Sequence, residues 1–335
     1  MNQANAADRP AADVLVEAAR VAGQAPSILN TQPWRWRVHA DRLDLFAERS
    51  RQLTVGDPSG RLLMLSCGAA LHHARVALAA QGWQVDVTHA DQHDPNLLAT
   101  LVLTGWTSPS REALCQAEAI PVRRTDRRPV KDEPIPAPAL SSIEKAANLG
   151  ARLQLLTSGQ MLEVAGAAAR AAAVEAADPD IVHELAFWTG RHGPQGTGLP
   201  AEVILDQLPQ TTVPARDFGR HGTLPAGAGH DRSAVYALLY GDGDEPENWL
   251  RAGEALSAVW LTATTLGVSV VPLSGVIELA STRATIRRLL LADLGYPYLV
   301  LRLGIANPEP ADMAHAPRIA TAQLIDTSPI HRRRT

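Results

Sequence analysis

The sequence predicts an α+β protein built of two related halves, and three observations carry that prediction. The chain is similar to itself at an offset of 185 residues: Gly68 to Val85 (GAALHHARVALAAQGWQV) and Gly253 to Val270 (GEALSAVWLTATTLGVSV) share Gly, Ala, Leu, Gly and Val in register. Each copy is followed by a short run rich in Leu and Val, Pro95 to Leu103 and Pro297 to Ile305, of the kind that closes a half as a buried strand. Over 335 residues, 46% are hydrophobic and 20% charged, a balance that fits one large or two modest globular domains and excludes disorder and collagen-like repeats.

In chain order, Ala12 to Ala22 has helical spacing, Arg35 to His39 and Leu43 to Ala47 read as a strand pair, and Ser59 to Gln81 as a long apolar helix. The halves meet near Pro121 and the stretch Pro129 to Pro138, giving a first half of residues 1–120 and a second of 121–330. In the second, Leu140 to Leu149 is helical, Arg152 to Thr157 a strand and Met161 to Ala177 an alanine-rich helix. The segment 178–232 has no counterpart in the first half. It is dense in Gly and Pro yet carries Phe187-Trp188, Arg191-His192 and Asp217-Phe218, and a long insertion with aromatics as well as turn formers predicts a lid rather than a floppy linker.

Ala255 to Ile277 runs without a charge for long enough to cross a bilayer. It holds Ser257, Thr262, Thr264, Thr265, Gly267, Ser269 and Pro272, and Leu266-Gly267-Val268 reads as a helix stop before a buried strand, so no membrane span is expected. The charge balance of 31 basic to 35 acidic side chains leaves no broad positive field, so a nucleic-acid partner is not expected. Cys67 and Cys115 stand far apart without a CxxC pair, which argues against a disulfide framework or thiolate metal site and fits a reducing cytoplasm. Asp8, Asp13 and Glu17 interrupt the first thirty residues, which lack the apolar core of a signal peptide.

Two segments combine residue types that a packed core does not want together. Ala25-Pro26-Ser27-Ile28-Leu29-Asn30-Thr31-Gln32-Pro33-Trp34 offers a hydroxyl, two amides and an aromatic in a loop held by two prolines. Ser27 and Asn30 can hydrogen-bond a flat heteroaromatic ligand; an ordinary turn in which they cap their own backbone would use the same residues. Val122-Arg123-Arg124-Thr125-Asp126-Arg127-Arg128-Pro129 places four arginines around a hydroxyl, a compact anion site or a solvated basic linker. His89, Asp91 and His93 fall in a polar loop rather than on a helix face, His72 and His73 are adjacent and point apart, and no metal site is expected from either group. Hydrolase, P-loop and dinucleotide motifs are absent from the sequence. His331 to Arg334 reads as a solvated tail.

These segments together resemble the nitroreductase superfamily of FMN flavoproteins. The family's APSxxNxQPW loop is matched from Ala25 to Trp34, and its RRSxR motif from Arg123 to Arg127 with Thr125 in place of serine. Trp249 to Gly253 at the head of a long helix, and Pro272-Leu273-Ser274-Gly275 after the next strand, are similar to the family's central helix and the loop that approaches flavin N5. The order departs from the single-domain pattern, in which RRSxR comes first and APSxxN later. Because family members hold each FMN at a homodimer interface, the reversal implies a dimer fused into one chain, a pseudo-dimeric monomer, with further association of chains left open. The second half shows Ala147-Asn148-Leu149-Gly150 where its own loop would fall, so the resemblance implies one complete site and one FMN per chain.

The order and the insertion resemble the Acg-type branch, associated with dormancy and stress responses, whose insertion is a lid over the flavin. Carried over residue by residue, the resemblance gives Arg123, Arg124, Thr125 and Arg127 to the phosphate and pyrimidine edge, with Arg127 the cation near N1 and O2. Ser27 and Asn30 reach the ring from the first half, Pro272, Leu273, Ser274 and Gly275 approach N5, and Arg318 is a second phosphate ligand unless it is an ordinary surface arginine. No protein side chain is expected to be catalytic, since flavin N5 carries the chemistry. The implied activity is NAD(P)H-dependent reduction of a small nitroaromatic or quinone-like acceptor; the alternative is a flavin-sequestering protein whose lid keeps nicotinamide and acceptors out.

Overall fold

The computed structural model describes residues 10–89, 94–190, 196–227, 229–292, 294–307 and 314–331. Asp8, Asp91, His93, Arg191, His192 and the tail from 332 onward lie outside the described residues. The first half comprises α1 (Ala11–Ala22), β1 (Trp34–Val38), β2 (Arg42–Ala47), α2 (Arg61–Ala80), β3 (Trp83–His89) and β4 (Leu97–Trp106). After α3 (Arg111–Val122), the second half runs through α4 (Ala137–Ala146), β5 (Arg152–Leu155), α5 (Ser158–Ala177), α6 (Pro179–Trp188), β6 (Val235–Gly241), α7 (Pro246–Thr265), β7 (Val268–Leu273), α8 (Gly275–Glu278), α9 (Ala280–Leu291) and β8 (Tyr296–Ile305). A C-terminal arm of α10 (Thr321–Leu324), β9 (Ile325–Asp326) and α11 (Ser328–His331) follows.

Each half carries one sheet. The first has the order β3-β4-β2-β1-β9, the second β5-β6-β8-β7. The second is antiparallel throughout, whereas β9 joins β1 in parallel, with Trp36 opposite Ile325 and Arg37 opposite Asp326. The arm of the second segment therefore returns across the 120/121 boundary and completes the first sheet.

The internal echo is visible in space. Long helices α2 and α7 cross at the centre, and the equivalent glycines Gly68 and Gly253 face one another there. A Cβ added to Gly68 would lie 1.9 Å from the Leu250 carbonyl oxygen, and one added to Gly253 would lie 2.1 Å from that of Leu65. The two contacts are the same contact seen from each side, because Leu65 and Leu250 are themselves equivalent, as expected of an isologous interface. One further pair obeys the relation: His72 Nδ1 meets the hydroxyl of its equivalent, Ser257, at 2.8 Å, and His73 Nδ1 reaches the same oxygen at 2.9 Å, so the adjacent rings, expected to point apart, converge on one hydroxyl. Burial pushes His72 down to about 4, so both ring and hydroxyl are neutral partners inside the core.

Helix stops repeat as well. Gly82 after α2 and Gly267 after α7 are both left-handed, at φ 86° and 71°, the conformation that ends a helix and that glycine adopts without a Cβ clash. The uncharged run Ala255 to Ile277 therefore divides into the end of α7, a turn and the strand β7. Among the described residues α2 alone is long and apolar enough to cross a membrane by length and composition, and it is mostly buried in the core. One apolar cluster runs through both halves, joining Trp34, Trp36 and Leu71 to Trp260, Tyr298 and Leu301. His89, expected in a polar loop, instead ends β3, where the alternating burial of the strand turns it inward toward Glu254.

The insertion is ordered where it is described. Leu185 and Trp188 of α6 pack with Leu199, Val203, Ile204 and Phe218 against Leu29 and Leu53 of the first half, a small core of its own.

Candidate functional site

A cavity of about 810 Å³ opens between the halves beneath the insertion. Ser27, Asn30, Arg123, Arg124, Thr125, Arg127, Pro272, Leu273, Ser274, Gly275 and Arg318 all line it, so the structure brings every sequence-derived site residue to one place.

The amide loop forms one wall. Leu29, Asn30 and Gln32 have φ values of 43°, 56° and 49°, with right-handed Thr31 among them, and non-glycine residues hold left-handed φ only where partners over-determine it. Those partners are present. Ser27 Oγ accepts the Gln32 N–H at 2.9 Å, which is the turn-capping role open to it. Asn30 does something else: its Nδ2 donates to the carbonyls of Gly198 at 3.0 Å and Pro317 at 2.9 Å, while its Oδ1 accepts from Gln32 Nε2 and from Arg318 Nη1, each at 3.3 Å. Gln32 Nε2 also donates to the Gly196 carbonyl at 2.6 Å, and its Oε1 accepts the Ile319 N–H at 3.0 Å. The loop thus fastens both the insertion and the C-terminal arm. Gln32, fully buried behind the cavity lining, is thus a positioning residue for the loop, and the signal for it was its amide inside the same ten-residue motif.

The arginine segment lines the same cavity and is not a solvated linker. Arg123 ends α3 at 6% exposure, and its guanidinium lies 4.6 Å over the Trp260 ring. Burial first, and then the positive charge of Arg318, push Arg123 down to about 9; burial pushes Arg318 down to about 10. The Nε atoms of both are buried without a hydrogen-bond partner. Arg318 is also no surface arginine, since it donates to the carbonyls of Gln24 and Ala316. Arg127 donates to the Val203 carbonyl at 2.9 Å and lies 5.2 Å over the Phe218 ring. Burial and Arg302 lower it to about 10, against the pull of Asp126.

Two cavity residues escaped the sequence because they come from strand and insertion interiors without a motif. Arg302 of β8 pairs with buried Asp231 at 2.7 Å and donates to the carbonyls of Asp126 and Arg128, fixing the arginine segment from behind. Arg216 of the insertion reaches Glu278 Oε1 at 2.6 Å and Oε2 at 2.8 Å, and Glu175 Oε2 at 3.2 Å. It also donates to Ser274 Oγ at 3.4 Å. Burial lowers Arg216, but Glu278 and then Glu175 outweigh burial and raise it, so it stays charged. Burial raises the Glu175 carboxyl against the opposing effect of Arg216. A second clasp fixes α6, where Glu184 accepts the N–H groups of Val55 at 3.0 Å and Gly56 at 2.8 Å.

At the positions related to this cavity by the internal repeat, the residues differ. Arg75 stands where Trp260 stands in the other half and His89 where Ser274 stands, and both engage Glu254, which is 2% exposed, His89 at 3.2 Å. Residues 147–149 form a short 3-10 turn, and Gly150 backs onto the Arg251 side chain where the second loop would run. Among the described residues no group of His, Cys, Asp and Glu could hold a metal ion.

No family model matches the chain. It is 36% identical over 325 residues, 95% of its length and 92% of the relative's, to a protein of Mycobacterium tuberculosis (strain ATCC 25618 / H37Rv) named "Putative NAD(P)H nitroreductase Rv3131". It is 32% identical over 311 residues, 89% of its length and 92% of the relative's, to "Putative NAD(P)H nitroreductase acg" of the same strain. Among solved structures, the FMN and NADPH-dependent nitroreductase NfnB from sphigopyxis sp. strain HMH superposes with a TM-score of 0.41 at 19% identity, over 63% of this chain and 97% of that one.

Proposed function

Since this chain belongs to the nitroreductase superfamily, we propose that its cavity holds one FMN per chain and that the protein is an FMN-dependent oxidoreductase of nitroreductase type. The observation that carries this reading is the convergence of buried Arg123 and half-buried Arg127 and Arg318 on one cavity, with no carboxylate among the described residues acting on Arg123 or Arg318. Buried cations without a counter-ion are costly, and an anionic group in the cavity removes that cost. A cavity of about 810 Å³ falls in the range that takes a cofactor-sized ligand.

Bound FMN supplies hydride transfer, so that NAD(P)H, a proton and a quinone give NAD(P)⁺ and the hydroquinone, or a nitroaromatic is reduced in its place. The residues of the chain do the rest. Arg123, Thr125 and Arg318 would hold the phosphate, and Arg127 would place a positive charge beside the pyrimidine edge. Leu256 and Trp260 would give the ring apolar contact, and the strained Ser27–Gln32 loop would bound it from the first half. The insertion excludes water, held by Asn30, Gln32, Glu184 and Arg216.

Those same clasps favour a second reading, a flavin-holding protein whose closed insertion keeps nicotinamide and acceptors away. The visible spectrum of purified protein with its flavin-to-chain ratio, followed by anaerobic NADPH titration, tests both. A ratio near one and bleaching on mixing support the oxidoreductase; a bound flavin that NADPH leaves yellow supports the second reading, and a colourless chain that takes up no added FMN defeats both.

A further inference from the structure

The cavity changes character away from the arginines. One side is the face of α5 that carries Ala168, Ala171, Ala172 and Ala176, residues three and four apart and hence stacked on one side of the helix. The insertion adds Ile181, Leu185 and Phe218, so this side is largely apolar, with the Glu175 carboxylate on the same helix face taken up by Arg216. Among the exposed large apolar side chains of the described residues, Val182 at 46% and Leu208 at 52% are the two that also line the cavity, so they mark its mouth. The same insertion supplies Glu202, Asp206 and Asp217 to the lining, all exposed, against Arg220 and His221. The floor is therefore cationic and the exposed charges contributed by the insertion net acidic, so a small neutral acceptor meets less repulsion there than a small anionic one.

We propose that the acceptor entering this mouth is an uncharged quinone bearing an aliphatic tail, and that Val182 and Leu208 are specificity-determining residues that the tail covers. The proposal rests on the FMN reading of the cavity. A compact nitroaromatic would leave both side chains in water, whereas a tail lying over them removes apolar surface from solvent on both partners. The carboxylates at the mouth leave a neutral ring unopposed and disfavour a sulfonated one. The reduction balances as written above, with two electrons and two protons converting the quinone to its hydroquinone.

The test uses oxidised protein carrying FMN, with binding followed by tryptophan fluorescence quenching rather than by turnover. Three probes are compared: a tail-less naphthoquinone, the same ring with two isoprene units, and its sulfonate. The tailed quinone should bind at least ~10-fold more tightly than the tail-less one, and the sulfonate more weakly than either. Val182→Asp and Leu208→Asp should bring the tail's advantage below ~2-fold, whereas Leu294→Asp, at a remote and 85% exposed position, should preserve it. Flavin absorbance of each variant reports that the cavity is intact. Equal affinity of tailed and tail-less quinones for the unaltered protein, or variants that weaken both probes alike, would overturn the proposal. Failure to take up FMN is seen before any quinone is added and counts against the cofactor reading instead.

Discussion

At the scale of single residues, a buried arginine favours an anion beside it. Burial and the charge of Arg318 both lower Arg123, burial lowers Arg318, and an anionic ligand between them would offset that cost. Arg123→Met should raise the melting temperature of flavin-free protein while weakening FMN binding by about ten- to a hundred-fold, the loss of one charge-assisted contact of roughly 1.5–3 kcal/mol. Paired thermal melts with and without FMN check this; a variant that is less stable without FMN yet binds it normally would show that the arginine is structural. His72 gives a second residue-scale expectation. Its folded value of about 4 lies below the unfolded 6.5, so the unfolded chain takes up the proton first and stability is lost as pH falls through that window. On the order of 3 kcal/mol is at stake. Asp57, raised by burial to about 6, acts in the opposite sense over part of the range, so the slope should be read as the difference between the parent and His72→Gln.

At the scale of elements, the two central helices meet through glycines and the insertion is held by charges. Gly68→Ala or Gly253→Ala sets a Cβ inside a carbonyl oxygen and should cost more than about 4 kcal/mol, enough to prevent accumulation of folded protein. Gly159→Ala in α5, where a Cβ meets nothing within 4 Å, should instead stabilise by up to about 1 kcal/mol. Chemical denaturation distinguishes the two. Arg216→Ala removes a bidentate clasp on buried Glu278 and leaves two carboxylates facing each other; protease cleavage within 178–232 should accelerate while the rest of the chain stays resistant. Unchanged cleavage would mean that the apolar core around Trp188 and Phe218 holds the insertion alone.

The whole molecule shows what a linear reading can and cannot reach. The repeat, the two motifs and the long helices were legible because each is a local pattern: glycine spacing, an apolar period, a cluster of one charge. That Arg123 and Asn30 would line one cavity also followed, by way of the family resemblance. Arg216, Arg302 and Glu254 were not legible, since a single charged residue in a strand, helix or loop gains its meaning only from partners some 40 to 180 positions away. The parallel strand β9 was equally hidden, because two residues carry no period. Glu254, paired with Arg75 and His89 at the counterparts of Trp260 and Ser274, leads to a stoichiometric expectation: FMN titration should saturate at one per chain, and a second equivalent taken up with similar affinity would contradict it.

The C-terminal arm has a topological consequence. Helix α11 packs on β1, and α1 packs on β1, β2 and β9, so the first and last described elements sit on a single sheet. A peptide bridge from the arm back to α1, with the chain reopened in the exposed turn at 107–110, would yield a circular permutant whose arginine cluster precedes its amide loop. Such a rewired gene would restore the motif order of undivided family members without moving a single side chain of the cavity.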